Sequence, residues 1–182
     1  MLPAYQLPDS TRKWCAFFKW TTAILVLLMI ADLVFADVLQ RIIEGHYLAL
    51  SDFARGEVQF SDTKNWLLRG LALISWGSAI LILLAGFRLF DTLARGEPFS
   101  AHVQRAIRLL GAMILLNGAL GILMRTVFPV ALTYDNPPGH GEVSIAISSA
   151  QVNHLIIGAI ILILGHIFLQ AVRISDENRQ IV

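Results

Sequence analysis

The sequence predicts an all-α polytopic membrane protein. The expected form is a four-transmembrane-helix bundle with both termini cytoplasmic and an amphipathic helix in the first outer loop. Three observations carry that fold class. Four long apolar segments fill most of the 182 residues. Charged residues make up only 15% of the chain and hydrophobic ones 56%, where a soluble domain carries about 25% charged residues; mean hydropathy is +0.66. The basic residues at the segment ends also fall mainly on one side.

A helix needs roughly 20 mainly apolar residues to cross hydrocarbon about 30 Å thick. The spans expected on this basis are 17–35, 70–87, 109–124 and 155–172, within a single domain over residues 1–182. The third is the shortest, and Arg108 and Arg125 are placed to snorkel from its two ends. The first reads as a retained helix rather than a removable signal peptide, since no small-residue cleavage site follows it.

Orientation follows from the distribution of charge, because the net value of +1 says little. Arg12, Lys13 and Lys19 precede or open the first span, Arg88, Arg95, Arg105 and Arg108 lie between the second and third, and Arg173 and Arg179 follow the fourth. Between Thr126 and Asn153 there is no Lys or Arg at all. The positive-inside rule therefore puts both ends and the central turn in the cytoplasm. The lone Cys15 excludes an internal disulfide and any Cys-rich metal site.

The elements follow in order. From Val38 to Ala54 apolar residues recur at three- and four-residue steps, an amphipathic helical period. Gly56 is its expected stop, and Ser61 or Asp62 the N-cap of the next helix. Gly96 ends that helix, Pro98 blocks its continuation and Ser100 caps the third span. A turn that short makes the second and third spans antiparallel neighbours. Asn136, Pro137, Pro138, Gly139 and Gly141 break regular structure in the second outer loop, leaving Val143–Ile147 as an extended piece or a helix start. Three glycine pairs seven residues apart (Gly70/Gly77, Gly111/Gly118, Gly158/Gly165) each lie on one helix face. Small residues let helix backbones approach closely in lipid, so these pairs read as packing seams.

Ionisable residues within a span are costly unless paired. Asp32, Arg69 and Arg125 fall at comparable depth on the outer side and form the candidate intramembrane polar cluster, with Asp32 paired to Arg69 or Arg125. On that pairing Asp32→Ala lowers stability more than Asp37→Ala. Asn117, near the middle of the third span, is expected to hydrogen-bond to a neighbouring helix. The five histidines show no metal spacing: His154 and His166 are 12 residues apart, about 18 Å along a helix. His46, His140 and His154 could meet on the outer face. There is no nucleophile elbow, phosphate loop or paired-carboxylate arrangement. Neither an enzyme, a cofactor, a metal nor direct nucleic-acid binding is expected.

Two stretches carry a family resemblance. One is Leu93-Ala-Arg-Gly-Glu-Pro-Phe-Ser100 followed by Val103-Gln-Arg-Ala-Ile-Arg-Leu-Leu-Gly111. The other is Ile161-Leu-Ile-Leu-Gly-His-Ile-Phe-Leu-Gln-Ala171 running to Asp176-Glu-Asn-Arg-Gln-Ile-Val182. With the four-span layout they resemble the bacterial domain-of-unknown-function family 2975, which implies a place in the bacterial inner membrane. The matching positions are Gly96, Pro98, Phe99, Arg105, Arg108, Gly111, Phe168, Glu177 and Val182. This chain departs from the pattern at His166, where the family usually has an acid, at Leu169, where Arg is common, and at Gln180-Ile181 in place of Leu-Thr. The resemblance implies a membrane partner for a cytoplasmic helix-turn-helix regulator. The surface expected to hold it comprises Arg95, Glu97, Phe99, Arg105, Asp176, Glu177 and Arg179. The same arginines also suit anionic headgroups of the lipid bilayer. The rival expectation is a small channel or carrier, formed as a homo-oligomer, that works through Asp32, Arg69 and Arg125.

Overall fold

The structure, a computed structural model, describes residues 7–35, 37–96 and 100–180, with side chains up to residue 170. Every element among the described residues is helical: α1 (Asp9–Phe35), α2 (Val38–Leu48), α3 (Asp52–Arg55), α4 (Asp62–Ala94), α5 (Ala101–Thr133) and α6 (Ser149–Gln180). Four of them are long and apolar enough to cross a membrane. The 33 residues of α4 and of α5 span about 50 Å at 1.5 Å per residue, more than the hydrocarbon thickness. These helices therefore run on past the apolar spans read from sequence.

The long helices pack in the order α1, α4, α5, α6, so α1 and α6 are the outer members of an open bundle. Connections α1–α4 and α5–α6 lie at one end, the loop end. The N-terminal segment and the α4–α5 turn share the other, the turn end. There Leu7 donates its backbone N–H to the Gly96 carbonyl (3.1 Å), which fastens the chain start to the turn. Gly96 has φ +91°, a conformation that favours glycine and ends α4 as the sequence predicts. Ser100 caps α5 by accepting from Val103 N (3.4 Å), and Ser61 caps α4 by accepting from Lys64 N (3.2 Å).

Most of α1 faces outward, with only Cys15 and Val26 buried. Exposed Ile24, Leu27 and Leu28 suit contact with lipid rather than water. Against α4, α1 makes few but specific contacts: Trp76 donates its indole N–H to the Met29 carbonyl (3.2 Å) and Phe18 stacks on Phe90 (5.4 Å between centroids).

The best-packed region is the loop end. Asp37 adopts a left-handed conformation (φ 48°, ψ 44°), which Asp tolerates better than most residues. It turns the chain sharply, so that α2 folds across α4 and α5. The apolar face of α2 is buried there: Ile43 joins Leu50, Leu68, Ala72, Met124, Phe128, Ala131 and Leu132 in one cluster. The helical period predicted through Ala54 is interrupted at 49–51, and the chain restarts as the single turn α3, capped by Ser51. Residues 141–148 form no regular secondary structure, so α6 begins only at Ser149.

The glycine expectation holds for two pairs. A Cβ on Gly158 would stand 2.6 Å from Leu115 N, and one on Gly111 2.8 Å from Leu162 N. Gly118 and Gly165 are also crowded across the α5–α6 seam. Gly70 and Gly77 meet nothing within 4 Å. Their shared face points away from every neighbouring helix, so they form no seam.

Candidate functional site

Three polar regions interrupt the apolar bundle. At the turn end, the last turns of α4 and the first of α5 diverge around a cavity of about 620 Å³. Arg88 and Arg95 enter from α4, His102 and Arg105 from α5, with Ala106 and Leu109 beneath. The one carboxylate, Asp91, is already held by Lys19 of α1 (2.8 Å) and by Arg95 (2.6 Å). Among the described residues Arg88 and Arg105 have no acidic partner; the Arg105 guanidinium reaches only the Ala101 carbonyl (3.4 Å). The pocket is thus a cluster of guanidinium groups with positive charge to spare, a donor set whose paired N–H groups suit an anion.

This pocket collects two residues of the expected partner surface, Arg95 and Arg105. Glu97 and Phe99 lie outside the described residues. Asp176, Glu177 and Arg179 fall on the helical backbone of α6, and their side chains lie outside the description. Arg88 and His102, which sequence reasoning did not select, are the additions. Their signal was available: both lie one or two helical turns from Arg95 and Arg105 on the faces that flank a tight turn.

The second region is the loop end, where the expected polar cluster does not form. Asp32 accepts from Arg41 at 2.6 Å, not from Arg69 or Arg125. Arg69 stands 3.9 Å from Asp37, and Arg125 is exposed with no ion-pair partner among the described residues. The reversal at Asp37 is the cause, because it folds α2 back and delivers Arg41 to the end of α1.

That geometry changes the stability comparison. Asp32→Asn should cost up to about 1 kcal/mol, as for a partly exposed ion pair. Asp37→Ala should cost about as much for a different reason, since alanine resists the left-handed region by about 1–2 kcal/mol. Asp37→Asn, which keeps that tolerance, should stay within about 0.5 kcal/mol. Thermal unfolding in detergent reads all three. Equal losses for Asp37→Asn and Asp37→Ala would assign the effect to charge instead.

Side chains also lock the two loops together. Glu142 accepts from the backbone N–H (3.0 Å) and hydroxyl (2.8 Å) of Ser51. Asn136 donates to the Ala54 carbonyl (3.0 Å). Buried Lys64 donates to the Leu132 carbonyl (3.0 Å) and pairs with Asp135. The histidines serve this packing: His46 stacks on Phe128 and His140 on Phe53, each with ring centroids 4.0 Å apart. They do not converge with His154, which lies against Gly118. Among the described residues no group of three His, Cys, Asp or Glu stands close enough to hold a metal ion.

The third region is a cleft of about 190 Å³ between α4, α5 and α6, lined by Ser75, Ser78, Asn117, Gln151 and His154. Asn117 donates to Ser78 Oγ (2.7 Å), and Ser78 donates to the Ser75 carbonyl (2.8 Å). The interhelical bond expected of Asn117 is therefore present. Gln151 donates to the Gly121 carbonyl (3.3 Å) and accepts from Ser148 N (2.7 Å), tying the start of α6 to α5. The Asn117–Ser78 and Gln151–Gly121 bonds cross between helices, and their role is adhesion.

No curated protein and no solved structure matches the chain. A family model described as a protein of unknown function, DUF2975, matches residues 54–182, the span from α3 to the last residue. That match takes in the turn, the pocket and all of α4, α5 and α6, and this multi-pass membrane protein belongs to the DUF2975 family.

Proposed function

We propose that the chain is a non-catalytic membrane component whose turn end faces the bacterial cytoplasm and holds a soluble regulator. The carrying observation is the reach of α6. Gly165 packs on Ile107 and Arg108 of antiparallel α5, so the start of α5 at Ala101 comes level with residue 172. Beyond it α6 stays helical to Gln180, about two turns with no α5 alongside. That extension carries Arg173, Asp176, Glu177 and Arg179, a charge pattern suited to a soluble protein surface. Arg95 and Arg105 stand at the same end. The basic residues of this end also support its cytoplasmic placement.

The channel or carrier reading depended on convergence of Asp32, Arg69 and Arg125, and those residues stand apart: Asp32 pairs with Arg41, Arg69 lies nearest Asp37, and Arg125 has no ion-pair partner among the described residues. Purification from native membranes in mild detergent tests the proposal. A stoichiometric helix-turn-helix regulator should co-elute with the full chain. It should be lost when residues 174–182 are deleted, while the thermal midpoint stays unchanged. A homo-oligomer with no companion from both chains would overturn the reading, as would a C-terminal reporter active only outside the cytoplasm.

A further inference from the structure

We infer that the pocket between α4 and α5 is a specific site for an anionic phospholipid, with its phosphate gripped by Arg88 and Arg105. This goes beyond the proposed regulator and does not rest on it. The pocket continues a lipid-facing stripe. On α4, Leu81, Leu84 and Arg88 follow one another at three- and four-residue steps, and on α5 Leu116, Leu109 and Arg105 share a face at steps of seven and four. The stripe changes from leucine to arginine within one turn on each helix. Leu81, Leu84 and Leu116 are exposed, which suits an acyl chain lying along the groove with its headgroup in the cavity.

Charge fixes the sign of the ligand. Asp91 is answered by Lys19 and Arg95, which leaves Arg88 and Arg105 for an outside anion. Guanidinium groups bind phosphate oxygens through paired N–H donors, and basic pockets between membrane helices at the cytoplasmic boundary suit such headgroups. A free carboxylate would use the arginines but leave the leucine track empty. A phospholipid occupies both.

Native mass spectrometry of the full chain tests this, with phosphatidylglycerol, phosphatidylcholine or inorganic phosphate added in turn. One phosphatidylglycerol should be retained per chain in preference to phosphatidylcholine. Arg88→Gln with Arg105→Gln should weaken that retention about thirtyfold, the effect of two arginines at a charged surface. Arg69→Gln with Arg125→Gln, the same loss of two charges at the loop end, should leave it unchanged. Circular dichroism melting checks that the double variant is folded, and Arg88→Lys with Arg105→Lys should restore part of the binding as point charges. Three results would overturn the site: equal retention of the two lipids, equal loss in Arg69→Gln with Arg125→Gln, or displacement of the lipid by inorganic phosphate alone.

Discussion

Gly158→Leu should detach α6 from α5 and cost about 3 kcal/mol, the upper end of what overpacking exacts. The reason is the kind of atom in the way. A Cβ at this position would stand 2.6 Å from Leu115 N and 2.9 Å from Leu115 Cα. Those are backbone atoms of a long helix, which cannot rotate aside as a flexible side chain can. A Cβ on Gly111 across the seam would be similarly confined, 2.8 Å from Leu162 N and 3.0 Å from the Gly158 carbonyl oxygen. The two helices meet backbone to backbone, the arrangement that replaces the hydrophobic effect inside a bilayer. Gly77→Ala should do the opposite. Nothing lies within 4 Å of it, and alanine in a helix interior is favoured over glycine by roughly 0.5–1 kcal/mol. Thermal unfolding in detergent compares the two. Similar losses at both positions would mean that glycine matters here for helix flexibility, not for the α5–α6 seam.

The contrast between those glycines marks how far the sequence was legible. Seven-residue spacing says that two glycines share a face, and this is correct for all three pairs. It does not say whether that face meets a helix or the lipid, because both surroundings are apolar. The same limit applies to span length. Hydropathy located the four crossings but not the extra turns of α4 and α5, since at the loop end those turns pack against α2 and the loops, and at the turn end they are rich in charge and line the pocket. Local signals were reliable where one residue determines the outcome: Gly96 at the end of α4, and Ser61 and Ser100 at helix starts. The amphipathic period of 38–54 was legible too, although its burial against α4 and α5 was not. Asp32 was assigned the wrong partner because depth alone was compared. A single left-handed residue at Asp37 brought a closer cation, Arg41. At the turn end the arginines were visible, but their convergence required knowing that α4 and α5 diverge there.

Lys64 was the least legible residue of all. A lysine in the first turn of a helix, just after a polar loop, reads as solvated. Here its side chain is 0% exposed. The ammonium donates to the Leu132 carbonyl (3.0 Å), pairs with Asp135 and lies 5.2 Å from the centre of the Tyr134 ring. All three partners come from the last turn of α5 and the two residues after it, some seventy residues later, where no sequence pattern links them to Lys64. Around the pair stand Leu68, Phe128 and Leu132, each fully buried, so water is replaced only by these polar groups. Lys64→Met keeps the stem and removes the charge, which leaves the Leu132 carbonyl and the Asp135 carboxylate unanswered. Breaking a buried pair costs about 3–5 kcal/mol. The lower figure applies here because Asp135 is 33% exposed and can recruit water. Lys64→Met combined with Asp135→Leu should regain part of the loss, since an apolar pair of similar volume removes the stranded carboxylate. The damage should also be local. Hydrogen exchange should quicken over residues 124–148, while the Gly111–Gly158 seam keeps its protection. If Lys64→Met instead shifts stability by less than about 0.5 kcal/mol, as a surface substitution does, the lysine is hydrated and the loop end is held by its apolar cluster alone.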